Sequence, residues 1–387
     1  MKLLYIHECF GAQGGAEANV LLTARAFQQR GHTVGLAHGP GTGRGEADWA
    51  ATFSRRYPIA ELATAVADFQ PDALYVHNAA NAAAVLATGR PVVQMVHDHN
   101  LYCLRTYKYH YFSRQVCHRA CSLYCVLPCG ASLARRHGPG FPLRWVSYWA
   151  KRRELALHRR FTRLLVASDY MKSELLRNDF PADRIETHPL PLTHPPTGTS
   201  TFSDRNLILF TGQILRGKGV DVLLESLALL RTPFECIILG DGSHRTHCEQ
   251  LSARLGLTDR VHFRGFVPQA ELPGYFREAT VSVMSSVWPE PFGMSGIEAL
   301  AQGIPVVAFD VGGIRQWLDD GRSGFVVPWM DRPAFAAKIE DLLRDKALAR
   351  RLGEAGRQQV IERFDLNRYI TGLEATFRSV IAKPAAQ

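Results

Sequence analysis

Glu290 and Glu298, with seven residues between them in the run Val287-Trp-Pro-Glu290-Pro-Phe-Gly293-Met-Ser-Gly-Ile-Glu298, give the chain its clearest chemical signal. Glu290 falls in a proline-flanked loop after a strand pattern. Glu298 falls in the first turns of a helix that Ser295 could cap. Backbone N–H groups of Phe292, Gly293 and Met294 gather at that helix start, a ready site for a phosphate. Glu298 could then accept hydrogen bonds from a ribose diol, as acidic residues do in dinucleotide folds. Glu290 would face a sugar. The plain alternative is a pair of surface glutamates beside a helix cap.

A second segment, Gly212-Gln213-Ile-Leu-Arg216-Gly-Lys218-Gly219, carries the Gly-x4-Gly-Lys half of a phosphate-binding P-loop. Gly219 stands where that loop needs a Ser or Thr for magnesium, so a P-loop nucleotidase is disfavoured. Gly240-Asp241-Gly242 and Gly265-Phe266 each follow a strand pattern, and the first by itself reads as a tight turn. Near the N-terminus, Gly14 and Gly15 open a helix after the first strand. Glycines there let a ligand approach the backbone. His97, at the end of a strand in Val96-His97-Asp98, could donate a hydrogen bond to a leaving diphosphate.

Five of the eight cysteines, Cys103, Cys117, Cys121, Cys125 and Cys129, crowd one stretch with His99, His110 and His118 nearby. A structural zinc or iron–sulfur cluster, buried free thiols and disulfides are all open readings. On one continuous helix Cys117 and Cys129 would lie roughly 18 Å apart, so a four-cysteine site requires a break, which Pro128 permits. The same region holds Arg135, Arg136, Arg144, Lys151, Arg152, Arg153, Arg159, Arg160 and Arg163, interleaved with Trp145, Tyr148, Trp149 and Phe161. That mixture suits an anionic membrane surface. A solvated basic helix with Trp149 in the core is the alternative. No nucleic-acid recognition motif accompanies the charge, and no nucleic-acid partner is expected.

The Glu290–Glu298 segment, with Val311-Gly-Gly-Ile314 and Gly321-x-x-Gly324 downstream, closely resembles the signature of glycosyltransferase family 4 (group 1), over about Leu207 to Pro328. The resemblance implies a retaining, double-Rossmann GT-B enzyme, with Glu290 on the donor sugar and Glu298 on the ribose. It implies that Lys218 neutralises the donor diphosphate, so that transfer needs no metal. Gln213 occupies the position where the family usually has Arg, and Arg216 is a nearby substitute. Gly212, Gly242 and Phe266 would border the donor, with Phe292, Gly293 and Met294. Gly14 and Gly15 would border the acceptor, and His97 would sit near the donor phosphate or sugar.

Positioning these residues requires two βα series. Leu3–Ile6, Thr33–Ala37, Ala73–His77, Pro91–His97 and Arg163–Ala167 read as strands of the first. Leu207–Thr211, Glu235–Leu239, Val261–Phe263, Val281–Met284 and Val306–Phe309 read as strands of the second, with Asp331–Gln359 helical. The expected fold is α/β: two Rossmann-like doubly wound parallel-sheet domains facing across a cleft. The N-terminal acceptor domain spans 1–190, with a Cys-rich and basic insertion at about 100–160. A Pro/Thr/Gly-rich linker covers 191–205 and the nucleotide-sugar domain 206–362. A last helix in 363–387 is expected to pack back on the first domain. At 387 residues, with 46% hydrophobic and 21% charged residues, the chain can bury two cores. The net charge of +9 favours anionic partners. No apolar run is long enough to span a bilayer. The opening Met1–Ile6 is too short for a signal-peptide core, so a cytoplasmic location, peripheral on the inner membrane face, is expected.

The expected function is retaining transfer from a UDP- or GDP-sugar to a glycan or lipid-linked acceptor. Rivals are a nucleotide-sugar epimerase of the same fold and a metal-bearing interaction protein that has lost transfer. A Rossmann oxidoreductase is disfavoured because its glycine fingerprint is missing.

Overall fold

The computed structural model describes residues 1–11, 14–78, 81–135, 143–193, 203–268 and 271–382. Arg136 and residues 194–202 of the expected linker fall outside them. The chain divides into two compact units. The first comprises Met1–Lys108, His118–Thr193 and Leu366–Gln387, and the second Tyr109–Cys117 and His194–Asp365.

The first unit is built on β1 (Lys2–His7), β2 (Thr33–His38), β3 (Arg56–Pro58), β4 (Ala73–Asn78), β5 (Val92–Val96), the hairpin strands β6 (Leu133–Arg135) and β7 (Leu143–Trp145), β8 (Arg163–Val166) and β9 (Ile185–Thr187). Seven of these form one parallel sheet in the order β3-β2-β1-β4-β5-β8-β9, and β6 pairs antiparallel with β7 apart from it. Helices cover a parallel sheet on both faces, so its strands carry continuous apolar runs. Leu3, Leu4, Tyr5 and Ile6 of β1 are fully buried. One face packs Leu4, Ile6, Leu74 and Val76 against Phe69 and Phe161. Further across the same face, Val96, Leu164 and Val166 pack against Leu155, Met171 and Tyr102. The stretch from His188 begins as packed structure. Its imidazole Nε2 lies 3.0 Å from the Tyr369 carbonyl oxygen, and Leu190 and Leu192 are buried.

The second unit contains β10 (Leu207–Thr211), β11 (Glu235–Leu239), β12 (Val261–Gly265), β13 (Val281–Met284), β14 (Val306–Phe309) and β15 (Gly324–Val327), in the order β12-β11-β10-β13-β14-β15. This is the 3-2-1-4-5-6 order of a dinucleotide-binding sheet. Strand order reverses beside β10 here and beside β1 in the first unit, and ligands bind such sheets at the carboxyl ends of the strands flanking that point. Asp331–Gln359 is two helices rather than one, Arg332–Arg344 and Lys346–Arg363. Asp345 ends the first, and its carboxylate accepts the Leu348 N–H at 2.8 Å to begin the second.

The Lys346–Arg363 helix packs tightly on the Met294–Ala301 helix that carries Glu298. A Cβ at Gly353 would lie 1.9 Å from the Gly303 carbonyl oxygen. Gly353→Ala should therefore lower stability by about 1–3 kcal/mol in thermal or denaturant unfolding, despite the better helix propensity of alanine. An unchanged or raised midpoint would mean that this contact is not close.

Candidate functional site

Glu290 is the most constrained group in the second unit. It is 3% exposed. Its Oε1 accepts from Lys218 Nζ at 2.7 Å, from Trp288 Nε1 at 3.0 Å and from the Ser286 hydroxyl. Burial raises its pKa, but Lys218 and the three hydrogen bonds outweigh burial and hold the carboxyl below its usual range. The backbone of Glu290 is pinned as well. Gly313 N–H donates to its carbonyl at 2.7 Å, and Gly312 adopts φ +61° where a Cβ would lie 2.2 Å from that same oxygen. The Val311–Ile314 turn thus fixes the height of Glu290, while the loops after β10 and β13 bring lysine and carboxylate together.

Lys218 closes the short 3-10 turn Arg216–Lys218 after β10, with its Nζ 5.1 Å from the Trp288 ring centroid. Arg216 is engaged otherwise. Its guanidinium donates to the Tyr111 carbonyl and lies 4.5 Å from the Tyr111 ring centroid. Gln213 is exposed, Gly212 and Gly242 are half-buried, and the Phe266 ring is exposed. The helix after Glu290 starts at Met294 with Gly293 as its cap, so Ser295 lies inside the helix rather than capping it. Phe292 is buried, its ring 5.6 Å from Phe364, and its carbonyl accepts from Trp317 Nε1 at 2.6 Å. Only its backbone is available to a ligand. Glu298 is half-buried on the Met294–Ala301 helix.

In the first unit, His97 belongs to a histidine column at the carboxyl ends of β1, β4 and β5. His77 Nδ1 lies 2.9 Å from His97 Nε2, with the rings stacked, and His7 tilts against His77 at 6.4 Å. Burial and then the neighbouring His7 push His97 down to about 3, and burial with His97 pushes His77 well below its usual value. Both are neutral at pH 7. His77 Nε2 is buried without a hydrogen-bond partner. Beside the column lies a cavity of about 260 Å³ whose lining includes Glu8, His97, Asp98, Asn100, Lys151 and Glu154. Burial, then Asp98 and Glu17, raise Glu8, and burial also raises Asp98 against the hydrogen bonds from Asn100. Lys151 Nζ is held by Glu154 at 2.7 Å and the Asn100 carbonyl at 2.8 Å. Such a lining can accept several hydroxyl hydrogen bonds and disfavours an anion. Gly14 and Gly15 are exposed at the start of the Gly15–Gln29 helix, with Gly14 N–H donating to Glu17 at 2.7 Å.

The cysteines of the insertion do not lie on a helix beyond the short turn Leu123–Cys125. Cys103, Cys125 and Cys129 pack against the core cluster that holds buried Cys121, while Cys117 belongs to the segment counted with the second unit. The Cys121 thiol donates to Cys125, holding Cys125 below and Cys121 above the usual thiol range. Among the described residues, two groups of three metal-ligating side chains come within 4.8 Å of one another, His7–Cys9–Glu17 and Asp221–His244–His247. In the first, Cys9 Sγ lies 3.3 Å from His7 Nδ1, and Glu17 Oε1 lies 3.5 Å from His7 Nε2. In the second, Asp221 is already paired with Arg114.

Ser286, Trp288, His7 and His77 were not legible as site residues. A serine or tryptophan near a glutamate carries no spacing rule, and a histidine inside an apolar strand reads as core. Lys218→Ala should cost about 3–5 kcal/mol of stability by leaving Glu290 buried without its counter-charge. Lys218→Met/Glu290→Gln together should recover most of it in the same unfolding assay, and a double variant no better than the single would contradict the pairing. For His77 and His97 the folded pKa lies below the unfolded value. Their contribution is present above about pH 6.5 and is lost as pH falls below it. His97→Asn should make the acid-side fall of the unfolding midpoint shallower, and an unchanged slope would count against the burial of neutral imidazoles.

Two family descriptions match the chain, "Glycosyltransferase Family 4" over residues 13–192 and "Glycosyl transferases group 1" over residues 198–359. A D-inositol 3-phosphate glycosyltransferase of Streptomyces avermitilis is 40% identical over 164 residues, 39% of this chain and 35% of that protein. The lipopolysaccharide core biosynthesis glycosyltransferase LpsE of Rhizobium meliloti is 33% identical over 164 residues, 42% of this chain and 47% of that protein. The matched stretch thus spans less than half the length of these curated relatives. HepE of Anabaena, solved in complex with UDP, shares the fold with a TM-score of 0.74 at 20% identity, covering 98% of this chain and 100% of that one. With two Rossmann-like parallel sheets and both halves matched, the chain has the GT-B fold and belongs to the group 1 glycosyltransferases of family 4.

Proposed function

We propose that this protein transfers a sugar, with retention of configuration, from a nucleoside diphosphate donor to an acceptor hydroxyl. The observation that carries the reading is the Lys218–Glu290 pair between the loops that follow β10 and β13, where the strand order reverses. The donor sits on the second unit. Its ribose meets Glu298, its diphosphate meets Lys218 and the backbone at Gly293 and Met294, and its sugar meets Glu290. As the bond from the anomeric carbon to the diphosphate oxygen breaks, negative charge grows on the leaving group. A lysine and N–H groups already in place stabilise that charge without reorganising. The acceptor hydroxyl attacks from the face that the diphosphate leaves. Arg216, bound to Tyr111, supports the diphosphate only if donor binding releases it.

The first-unit cavity beside His97 suits a polyhydroxylated acceptor, since its carboxylates accept from hydroxyls. HepE was solved with UDP, which supports a UDP-sugar as donor. LpsE is named for lipopolysaccharide core synthesis, which supports a glycan or lipid-linked acceptor.

Thermal unfolding with UDP, GDP and ADP tests the donor site. A nucleotide at 100 times its dissociation constant should stabilise the protein by about 2.7 kcal/mol. The shift is expected for one nucleoside diphosphate and should be lost in Glu298→Ala. No shift with any of them, or an equal shift in the variant, would contradict the assignment.

A further inference from the structure

The chain's basic charge is confined to one region. Between Asn100 and Arg163 lie 13 of the 45 Lys and Arg residues but only one of the 36 Asp and Glu, Glu154. The remaining 32 basic residues are outnumbered by 35 acidic ones, so the rest of the chain is slightly acidic. Exposed apolar side chains concentrate in the same region. Of the twelve large hydrophobic residues exposed among those described, eight fall between Tyr107 and Trp149.

Within the first unit these side chains follow one another along a short structural path. Leu123 and Leu127, 62% and 79% exposed, lie in the turn that leads into β6. Leu133 of β6 pairs directly with Trp145 of β7, so both project from one face of the hairpin. They are 52% and 68% exposed. Trp149, 73% exposed, lies at the start of the Tyr148–His158 helix shortly after β7, and Arg152 and Arg153 lie exposed about one turn further on. The alternative that places Trp149 in the core therefore fails, although Phe161 and Tyr148 do pack inward. Among the described residues no helix is long and apolar enough to cross a membrane.

We infer that the β6–β7 hairpin, the turn before it and the start of the Tyr148–His158 helix form a face that seats on an anionic lipid bilayer. Leu127, Leu133, Trp145 and Trp149 enter the headgroup boundary, and Arg152 and Arg153 pair with lipid phosphates. Tryptophan and leucine flanked by arginine suit that boundary, where one side is apolar and the other wet and negative. A nucleic acid would use the arginines but leave the leucines in water. A second copy meeting this face to face would oppose two strongly basic surfaces. The purpose of the face, presenting a lipid-linked acceptor, rests on the transferase reading, but the binding does not.

Vesicle flotation of the full chain tests the inference. Vesicles of equal phosphatidylglycerol and phosphatidylcholine should carry the wild type, and pure phosphatidylcholine should not. Trp145→Ser/Trp149→Ser should weaken binding on the order of tenfold or more. Arg152→Gln and Arg153→Gln should each weaken it roughly fivefold at low salt. All these variants should keep the wild-type unfolding midpoint and nucleotide response, which separates loss of the face from failure of the donor site. Wild type that does not float with anionic vesicles, or tryptophan variants that float as well as wild type, would overturn the inference. So would a lipid-free dimer that dissociates when Trp145 and Trp149 are replaced.

Discussion

A carboxylate taken out of water needs a counter-charge and hydrogen bonds, or it takes up a proton. Glu290 is such a carboxylate, and the second unit is arranged around satisfying it. Lys218 must come from the loop after β10, while Ser286 and Trp288 come from the loop after β13. The Gly312–Gly313 turn after β14 must press against the Glu290 backbone from behind. The loops after three neighbouring strands therefore converge on one residue. The charge so held faces the point where the strand order reverses, which is where this architecture binds ligands.

The first unit meets the opposite problem. His77 is buried and His97 half-buried beside it, and loss of hydration, aided by the neighbouring imidazoles, holds both below the usual imidazole range. A neutral imidazole can donate one hydrogen bond and accept another, which a permanently charged lysine cannot. Next to it, burial raises the proton affinity of both Glu8 and Asp98, and Asp98 adds to the rise at Glu8. The two units thus offer different chemistry: a lysine paired with a buried carboxylate in the second, and a cavity lined by carboxylates and a neutral imidazole in the first.

Much of this was legible in the residues. The continuous apolar runs Leu3–Ile6 and Leu207–Thr211 announced buried parallel strands, because only a strand covered on both faces reads that way. The glutamate pair and the Gly-Lys loop suggested a ligand site, but spacing left surface glutamates as the plain alternative, and the family resemblance carried the reading. Other features depend on partners distant in sequence. Nothing near Arg216 indicates that Tyr111, over a hundred residues earlier, receives its guanidinium. Three-residue edge strands such as Arg56–Pro58 are too short to show a period. The break at Asp345 hides inside an unbroken helical pattern because aspartate is tolerated both in a helix and as its cap. The exposure of Trp145 and Trp149 was undecidable because an aromatic amid arginines fits a core or a boundary equally well.

The most direct test of transfer at the Lys218–Glu290 site is the anomeric configuration of the sugar first released when the protein slowly hydrolyses an α-linked nucleotide sugar. Proton NMR can follow it before mutarotation. The account predicts that the α anomer appears first, together with one equivalent of nucleoside diphosphate, and that Lys218→Met releases neither. Initial release of the β anomer would contradict retention. Turnover undiminished in Lys218→Met would contradict the site itself.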